Sequence, residues 1–168
     1  MRKILIISTG GTFNKVYDSI NGGLLIDKES KAIEDIASKW LCEFEIVNII
    51  GKDSLEMTNQ DRLELLATLN LSEYNNIIII HGTDTMHTTA EYLADADLEK
   101  RIVLTGAMMP YSIDSVEATA NFSSAYGYLQ TLTDNDVYIV MNGVFGSYKN
   151  IQKDRTNGRF IVKKDSLS

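Results

Sequence analysis

The apolar positions of this chain fall into short unbroken runs separated by longer stretches with helical spacing. Lys3 to Ser8, Phe44 to Ile50, Ile77 to Ile80, Arg101 to Thr105 and Val137 to Met141 each read as a strand. A continuous apolar run bounded by turn formers marks a strand buried on both faces. Between them, Ile33, Ile36, Ala37, Trp40 and Leu41 recur at helical spacing, as do Leu63, Leu66 and Ala67, then Ala90 and Leu93, then Ala118, Phe122, Ala125, Tyr126 and Leu129. Such spacing lines up one apolar helix face. Strand and helix patterns thus alternate with crossover-length connections, which predicts right-handed βαβ units. The expected fold is α/β and doubly wound, with a mainly parallel sheet flanked by helices.

Punctuation sharpens this outline. Thr58 with Asp61 reads as a capping box opening the second helix, with Asp in place of the usual Glu or Gln. Thr12 to Gly23 is polar and rich in turn formers, and reads as a long loop of the lid or binding kind. Asn142 to Gly146 reads as a turn, Asn150 to Arg155 as a short extended or hairpin segment, and Arg159 to Val162 as an edge strand. Lys163 to Ser168 is polar and reads as a frayed end or as the point where further chain would follow.

In an open α/β sheet the loops leaving the carboxyl ends of the strands share one edge, and ligands bind there. That rule brings together Thr12, Ser54, Thr83, Asp84 and the loop after Thr105 without sequence proximity. The central strand runs directly into His81-Gly82-Thr83-Asp84-Thr85-Met86, two hydroxyls and a carboxylate on a Gly turn at a helix start. Read alone, Asp84 or Thr85 serves equally well as an ordinary helix cap.

Composition narrows the classes. The 168 residues, 44% hydrophobic and 23% charged, suit one soluble domain with an ample core, over residues 1–168. The single cysteine, Cys42, has no internal partner, and the apolar run after Met1 is short for a signal peptide or membrane span, so the expectation is a cytoplasmic protein without membrane association. A net charge of −7 argues against nucleic acid as the partner.

Several chemistries fail on pattern. Gly10-Gly11 follows a strand, but neither Gly-x-Gly-x-x-Gly nor the Walker pattern is present. The only two histidines, His81 and His87, match no zinc spacing, so no metal is expected, and His81 at a strand end reads as a hydrogen-bonded structural residue. A Gly-x-Ser-x-Gly elbow is absent, and Cys42 lies in a helix-to-strand connection, away from the loop edge. What remains is a hydroxyl nucleophile, Thr12 or Thr83, with Lys153 or a tyrosine to activate it; Lys153 taken alone reads equally as a surface lysine.

Thr9-Gly10-Gly11-Thr12 together with His81-Gly82-Thr83-Asp84-Thr85-Met86 resembles the paired signature motifs of the bacterial-type L-asparaginase family, threonine-nucleophile amidohydrolases. Asp53 to Met57, Thr105 to Met108, and Met141-Asn142 followed by Lys153 are similar in the same order, so the resemblance runs from Ile4 to about Thr156. It implies a Rossmann-like asparaginase N-terminal domain that hydrolyses L-asparagine to L-aspartate and ammonia without cofactor or metal, in a homodimer or homotetramer. Thr12 would attack the side-chain amide, Tyr17 would take or relay its proton, and Thr83, Asp84 and Lys153 would activate a hydroxyl or water. Backbone N–H groups of Gly11 and Thr83 would hold the oxyanion, Ser54 the substrate α-carboxylate and Asp84 its α-ammonium.

The chain departs from the family pattern in three places. The family's smaller second domain, which lends an acidic residue to a neighbouring protomer, has no counterpart here, and the complete strand set favours a natural short form over an isolated N-terminal domain. Leu55 stands where many members place Gln, and His87-Thr88 replaces an acidic pair. Glutamine or a larger aspartyl or glutamyl amide is the alternative substrate, and a non-catalytic amino-acid-binding module is the alternative class.

Overall fold

The computed structural model describes residues 2–164; residues 165–168, part of the polar end expected to fray, lie outside the described residues. In chain order the strands are β1 (Leu5–Gly10), β2 (Lys15–Asp18), β3 (Gly23–Ile26), β4 (Glu45–Lys52), β5 (Asn76–Ile80), β6 (Arg101–Thr105), β7 (Asp136–Met141), β8 (Val144–Ser147), β9 (Ile151–Asp154) and β10 (Arg159–Val162). The helices are α1 (Lys31–Trp40), α2 (Asn59–Leu71), α3 (Met86–Ala94) and α4 (Ser115–Thr131), with single 3₁₀ turns at Thr12–Asn14, Ser54–Glu56 and Tyr148–Asn150.

The main sheet has six strands in the order β4-β1-β5-β6-β7-β8. Neighbours from β4 to β7 are parallel, with Ile6 opposite both Ile46 and Ile78, and β8 returns antiparallel on β7. Successive side chains of a strand point to opposite faces. Ile77 and Ile79 therefore join Leu65, Leu69, Ala90 and Leu93 beneath α2 and α3, while Ile78 and Ile80 join Ile33, Ile36, Phe122 and Leu129 beneath α1 and α4. All four isoleucines are fully buried, as a strand covered on both faces requires. The chain leaves β1 toward β4 on one side and later continues from β5 on the other, so the strand order reverses between β1 and β5. That reversal opens a crevice beyond their carboxyl ends.

Four expectations change. Thr12 to Gly23 is no open loop: β2 and β3 pair as an antiparallel hairpin, with Asp18 accepting from the Ile20 N–H and the Asn21 amide at the turn. Leu41 leaves the apolar face of α1, because it occupies the left-handed cap position with φ 55° and is 94% exposed. On α2, Leu65 and Leu69 carry the buried face, and Leu63 and Ala67 face out. The reason is tertiary: Asp61 and Arg62 are turned inward to Lys52 at the end of β4 and to Thr89 of α3, and this sets the rotation of the helix. Arg159 to Val162 pairs with β9 in a separate two-stranded ribbon rather than at the edge of the main sheet.

The capping box at Thr58 forms in both directions. The Asp61 N–H donates to Thr58 Oγ1 at 3.2 Å and the Thr58 N–H to Asp61 Oδ2 at 2.7 Å. Lys52 adds a two-pronged ion pair to Asp61 at 2.8 and 2.9 Å, tying the end of β4 to the start of α2. Thr58→Ala is expected to lower the unfolding free energy by about 1 kcal/mol in urea denaturation, the usual cost of a lost N-cap.

Candidate active site

Two glycines bring the loops of the crevice together. Gly11 follows β1 with φ 80°, and a Cβ built on it would lie 2.5 Å from the Gly82 nitrogen and 2.6 Å from its Cα. Gly82 in turn would place a Cβ 2.6 Å from Cβ of Ser54. Backbone packs on backbone at the first step and on a serine at the second, so neither position has room for a side chain. Thr12 and Thr83, the next residues along, therefore sit on adjoining turns, with Ser54 beneath them. Thr9 Oγ1 reinforces the seam by donating to the Ile80 carbonyl at 2.9 Å.

Thr83, Asp84 and Lys153 come together as the sequence suggested. Lys153 Nζ donates to Thr83 Oγ1 and to Asp84 Oδ1, each at 2.8 Å. Its side chain is only 17% exposed. Lys153 reaches the crevice because the β9–β10 ribbon is pinned to the main sheet: Phe160 N–H donates to Asn142 Oδ1, and the Asn142 N–H donates to the buried Asn121 of α4. A fourth member joins them. Arg155 donates from Nη1 to Asp84 Oδ1 at 2.9 Å and from Nη2 to the Asp84 carbonyl at 2.8 Å. The Lys153 hydrogen bond, with Arg155 adding to it, holds the Asp84 carboxyl below its ordinary range. Asp53, one residue from Ser54, is likewise held low by Lys15 of β2, 2.8 Å away.

Other expected site residues are placed differently. The Gly11 N–H, expected to face an oxyanion, donates to the Lys52 carbonyl at 3.0 Å. The Thr83 N–H has no partner among the described residues. Ser54 is 1% exposed, and its Oγ accepts from the N–H groups of Asp84 and Thr85 at 3.1 and 3.3 Å. It braces the start of α3, with its own hydroxyl proton uncommitted among the described residues. Thr85 occupies the N-cap position of α3 without a side-chain cap; its hydroxyl donates to the Ser54 carbonyl at 2.8 Å instead. Tyr17 stands on β2 of the hairpin, 67% exposed, and its hydroxyl makes no hydrogen bond to Thr12. Leu55 projects outward at 72% exposure, while His87 packs against Tyr148 with ring centroids 5.6 Å apart.

The family model described as "Asparaginase, N-terminal" matches residues 3–165. The chain belongs to the asparaginase family. It is 31% identical over 138 residues to a probable periplasmic L-asparaginase of Haemophilus influenzae, spanning 73% of this chain and 37% of that relative. It is also 31% identical over 157 residues to a glutamyl-tRNA(Gln) amidotransferase component of Methanococcus maripaludis, spanning 87% of this chain and 36% of the relative. The solved structure of a probable cytoplasmic L-asparaginase from Campylobacter jejuni superposes with a TM-score of 0.75 at 28% identity, over 98% of this chain and 54% of that one. That of the thermostable L-asparaginase from Thermococcus kodakarensis gives 0.80 at 23% identity, covering 95% of this chain and 51% of that one, a likeness of fold. The chain thus spans little more than a third of these curated relatives.

Within this asparaginase-family site, sequence reasoning missed Arg155 and the network behind His81. Arg155 lies two residues beyond Lys153, at the start of the turn that follows β9; a period of two along the extended or hairpin segment read over Asn150 to Arg155 was the available signal. His81 is fully buried. Its Nδ1 lies 2.7 Å from the Gly82 carbonyl and so carries the proton, while Nε2 accepts from Thr89 Oγ1 at 2.8 Å. Thr89 accepts in turn from Arg62 Nε at 3.0 Å. This directional chain anchors the Gly82 carbonyl, and with it the Gly82–Thr83 peptide that carries the unpartnered Thr83 N–H.

Desolvation pushes His81 down to about 4 from 6.5. Between those pH values the unfolded chain binds a proton that the folded chain refuses, so stability is full above about 6.5 and falls as pH drops toward 4. The expected loss is about 3 kcal/mol across that window, and His81→Gln flattens it in urea melts recorded against pH. Gly82→Ala, which drives a methyl into Ser54, is expected to cost about 2 kcal/mol of unfolding free energy in the same assay.

Proposed function

We propose that this chain carries the amide-hydrolysing site of an L-asparaginase, acting on L-asparagine through a threonine acyl-enzyme. The observation that carries the reading is Lys153 bridging Thr83 Oγ1 and Asp84 Oδ1 at 2.8 Å each, beside the Gly11–Gly82 contact that brings Thr12 alongside. A hydroxyl, a lysine and a carboxylate in one chain of hydrogen bonds is an arrangement that moves protons to and from an oxygen nucleophile.

In this reading Thr12 Oγ1 bonds to the side-chain carbonyl carbon, the C–N bond breaks, and the amide leaves as ammonia after gaining a proton. Water, oriented by Thr83 and the Lys153–Asp84 pair, then cleaves the ester, returning the threonine hydroxyl and releasing L-aspartate. The free Thr83 N–H faces the developing oxyanion, a contribution of roughly 3 kcal/mol in comparable sites. Ser54, accepting two N–H groups, has its own proton to donate to the substrate α-carboxylate. Asp84 Oδ2 is left for the α-ammonium, and Tyr17 enters the proton path when the β2–β3 hairpin brings it over Thr12. A cytoplasmic homo-oligomer belongs to the same reading; the likeness to the probable cytoplasmic L-asparaginase of Campylobacter jejuni supports the location.

A second reading keeps the chemistry and changes the amide, to glutamine or a larger glutamyl or aspartyl amide. The identity to a glutamyl-tRNA(Gln) amidotransferase component favours it. Ammonia release from L-asparagine and L-glutamine separates the two. Thr12→Ala is expected to lower the rate at least ~10³-fold and Lys153→Met ~10²-fold. Full activity in Thr12→Ala would move the nucleophile to Thr83, and calorimetric binding of asparagine without ammonia release would make the chain a binding module.

A further inference from the structure

Lys153 owes its place to a chain of hydrogen bonds that starts on α4 and ends at the lysine's own cross-strand neighbour. Glu117 and Asn121 stand one helical turn apart and so share a face of that helix. Asn121 Nδ2 donates to the Gly106 carbonyl at 2.9 Å, and its Oδ1 accepts the Asn142 N–H at 2.9 Å. Glu117 accepts the N–H groups of Met108 and Met109 at 3.0 and 2.9 Å and, at the solvent edge, Asn142 Nδ2 at 3.3 Å. Asn142 is therefore held by its main chain and by its amide nitrogen. Its amide oxygen is left for β10, where it accepts the Phe160 N–H at 3.0 Å.

Phe160 is the residue opposite Lys153 in the β9–β10 ribbon. Its N–H points out of the ribbon, to Asn142, so the two residues form a non-hydrogen-bonded pair, the kind whose side chains lie closest on one face. Ile151 and Phe160 are buried in the core and hold the ribbon down. Apolar contact is non-directional, however, and does not fix how far the ribbon slides over the sheet. Among the described residues, no other hydrogen bond joins β10 to the main sheet or to its β7–β8 turn. At the far end, Lys153 Nζ meets Thr83 Oγ1 and Asp84 Oδ1 at 2.8 Å each, and a displacement of about 1 Å is enough to lose both bonds.

We propose that Asn142 is a positioning residue for Lys153, its amide oxygen setting where the lysine sits over Thr83 by way of Phe160. The inference rests on the amidohydrolase reading and adds to it a residue that touches neither substrate nor nucleophile. A tight turn offers a plainer role for the same side chain. Asn142 has φ 50° and precedes Gly143 at φ 80°, the left-handed pair that a two-residue hairpin loop demands. Glycine meets that demand at least as well as asparagine but has no oxygen to offer Phe160, so Asn142→Gly separates the two roles.

In ammonia-release assays with L-asparagine, Asn142→Gly is expected to lower kcat about tenfold and to leave KM within about twofold of the native chain. Limited acetylation with acetic anhydride, followed by peptide mass spectrometry, reads the displacement without turnover. Lys153, 17% exposed and donating to two partners in the native chain, is expected to react about fivefold faster in Asn142→Gly, measured against the exposed Lys39 as internal reference. A native kcat in Asn142→Gly, or a Lys153 reactivity equal to that of the native chain, overturns the inference. Absence of ammonia release from either chain, with the rise in Lys153 reactivity retained, sinks the hydrolase reading alone.

Discussion

The contact between Gly11 and Gly82 is the constraint on which the crevice depends. Parallel strands bring their outgoing loops to one edge of the sheet, but an edge several strands wide is far larger than a substrate. The loops after β1 and β5 close that gap because two peptide backbones touch where side chains would otherwise hold them apart. Ser54 then fills the space beneath Gly82 and accepts the N–H groups of Asp84 and Thr85 just before α3. Three segments distant in sequence become one surface, and the two threonines are placed by residues that carry no chemistry themselves.

Charge is distributed over that surface in a second, outer layer. Lys52 holds Asp61, Lys15 holds Asp53, and Lys153 with Arg155 hold Asp84. The first two pairs are braces, joining β4 to α2 and the β2–β3 hairpin to the Ser54 turn. The third differs because its carboxylate has two cations on one oxygen and a free oxygen besides. The value of the third lies in the charge it presents to whatever enters. Behind it, the Arg62–Thr89–His81 chain keeps a neutral imidazole under the Gly82 carbonyl, a device that works only in a fully desolvated position.

Most of the sheet was legible in the chain. Five apolar runs became β1, β4, β5, β6 and β7, and the Thr58–Asp61 capping box formed as read. The hairpin was not legible, because Lys15 to Ile26 carries no alternation strong enough to separate a two-stranded ribbon from a loop, and its register is set by the Asp18 turn. The outward turn of Leu41 and Leu63 escaped for a related reason. Helical spacing identifies a face, but the polar contacts of Asp61 and Arg62 and the left-handed cap at Leu41 decide which residues that face contains.

The candidate site divides along the same line. The sequence by itself determined the strand-to-helix alternation, and so the edge where Thr12, Ser54, Thr83 and Asp84 meet, because periodicity and turn residues are local properties. Only the tertiary structure decided which of their groups are free. Gly11 N–H is engaged by the Lys52 carbonyl, the Ser54 Oγ lone pairs by the N–H groups of Asp84 and Thr85, and Asp84 Oδ1 by two cations from a ribbon some seventy residues downstream. Hydrogen-bonding capacity is used up by long-range partners, and no local pattern records who those partners are.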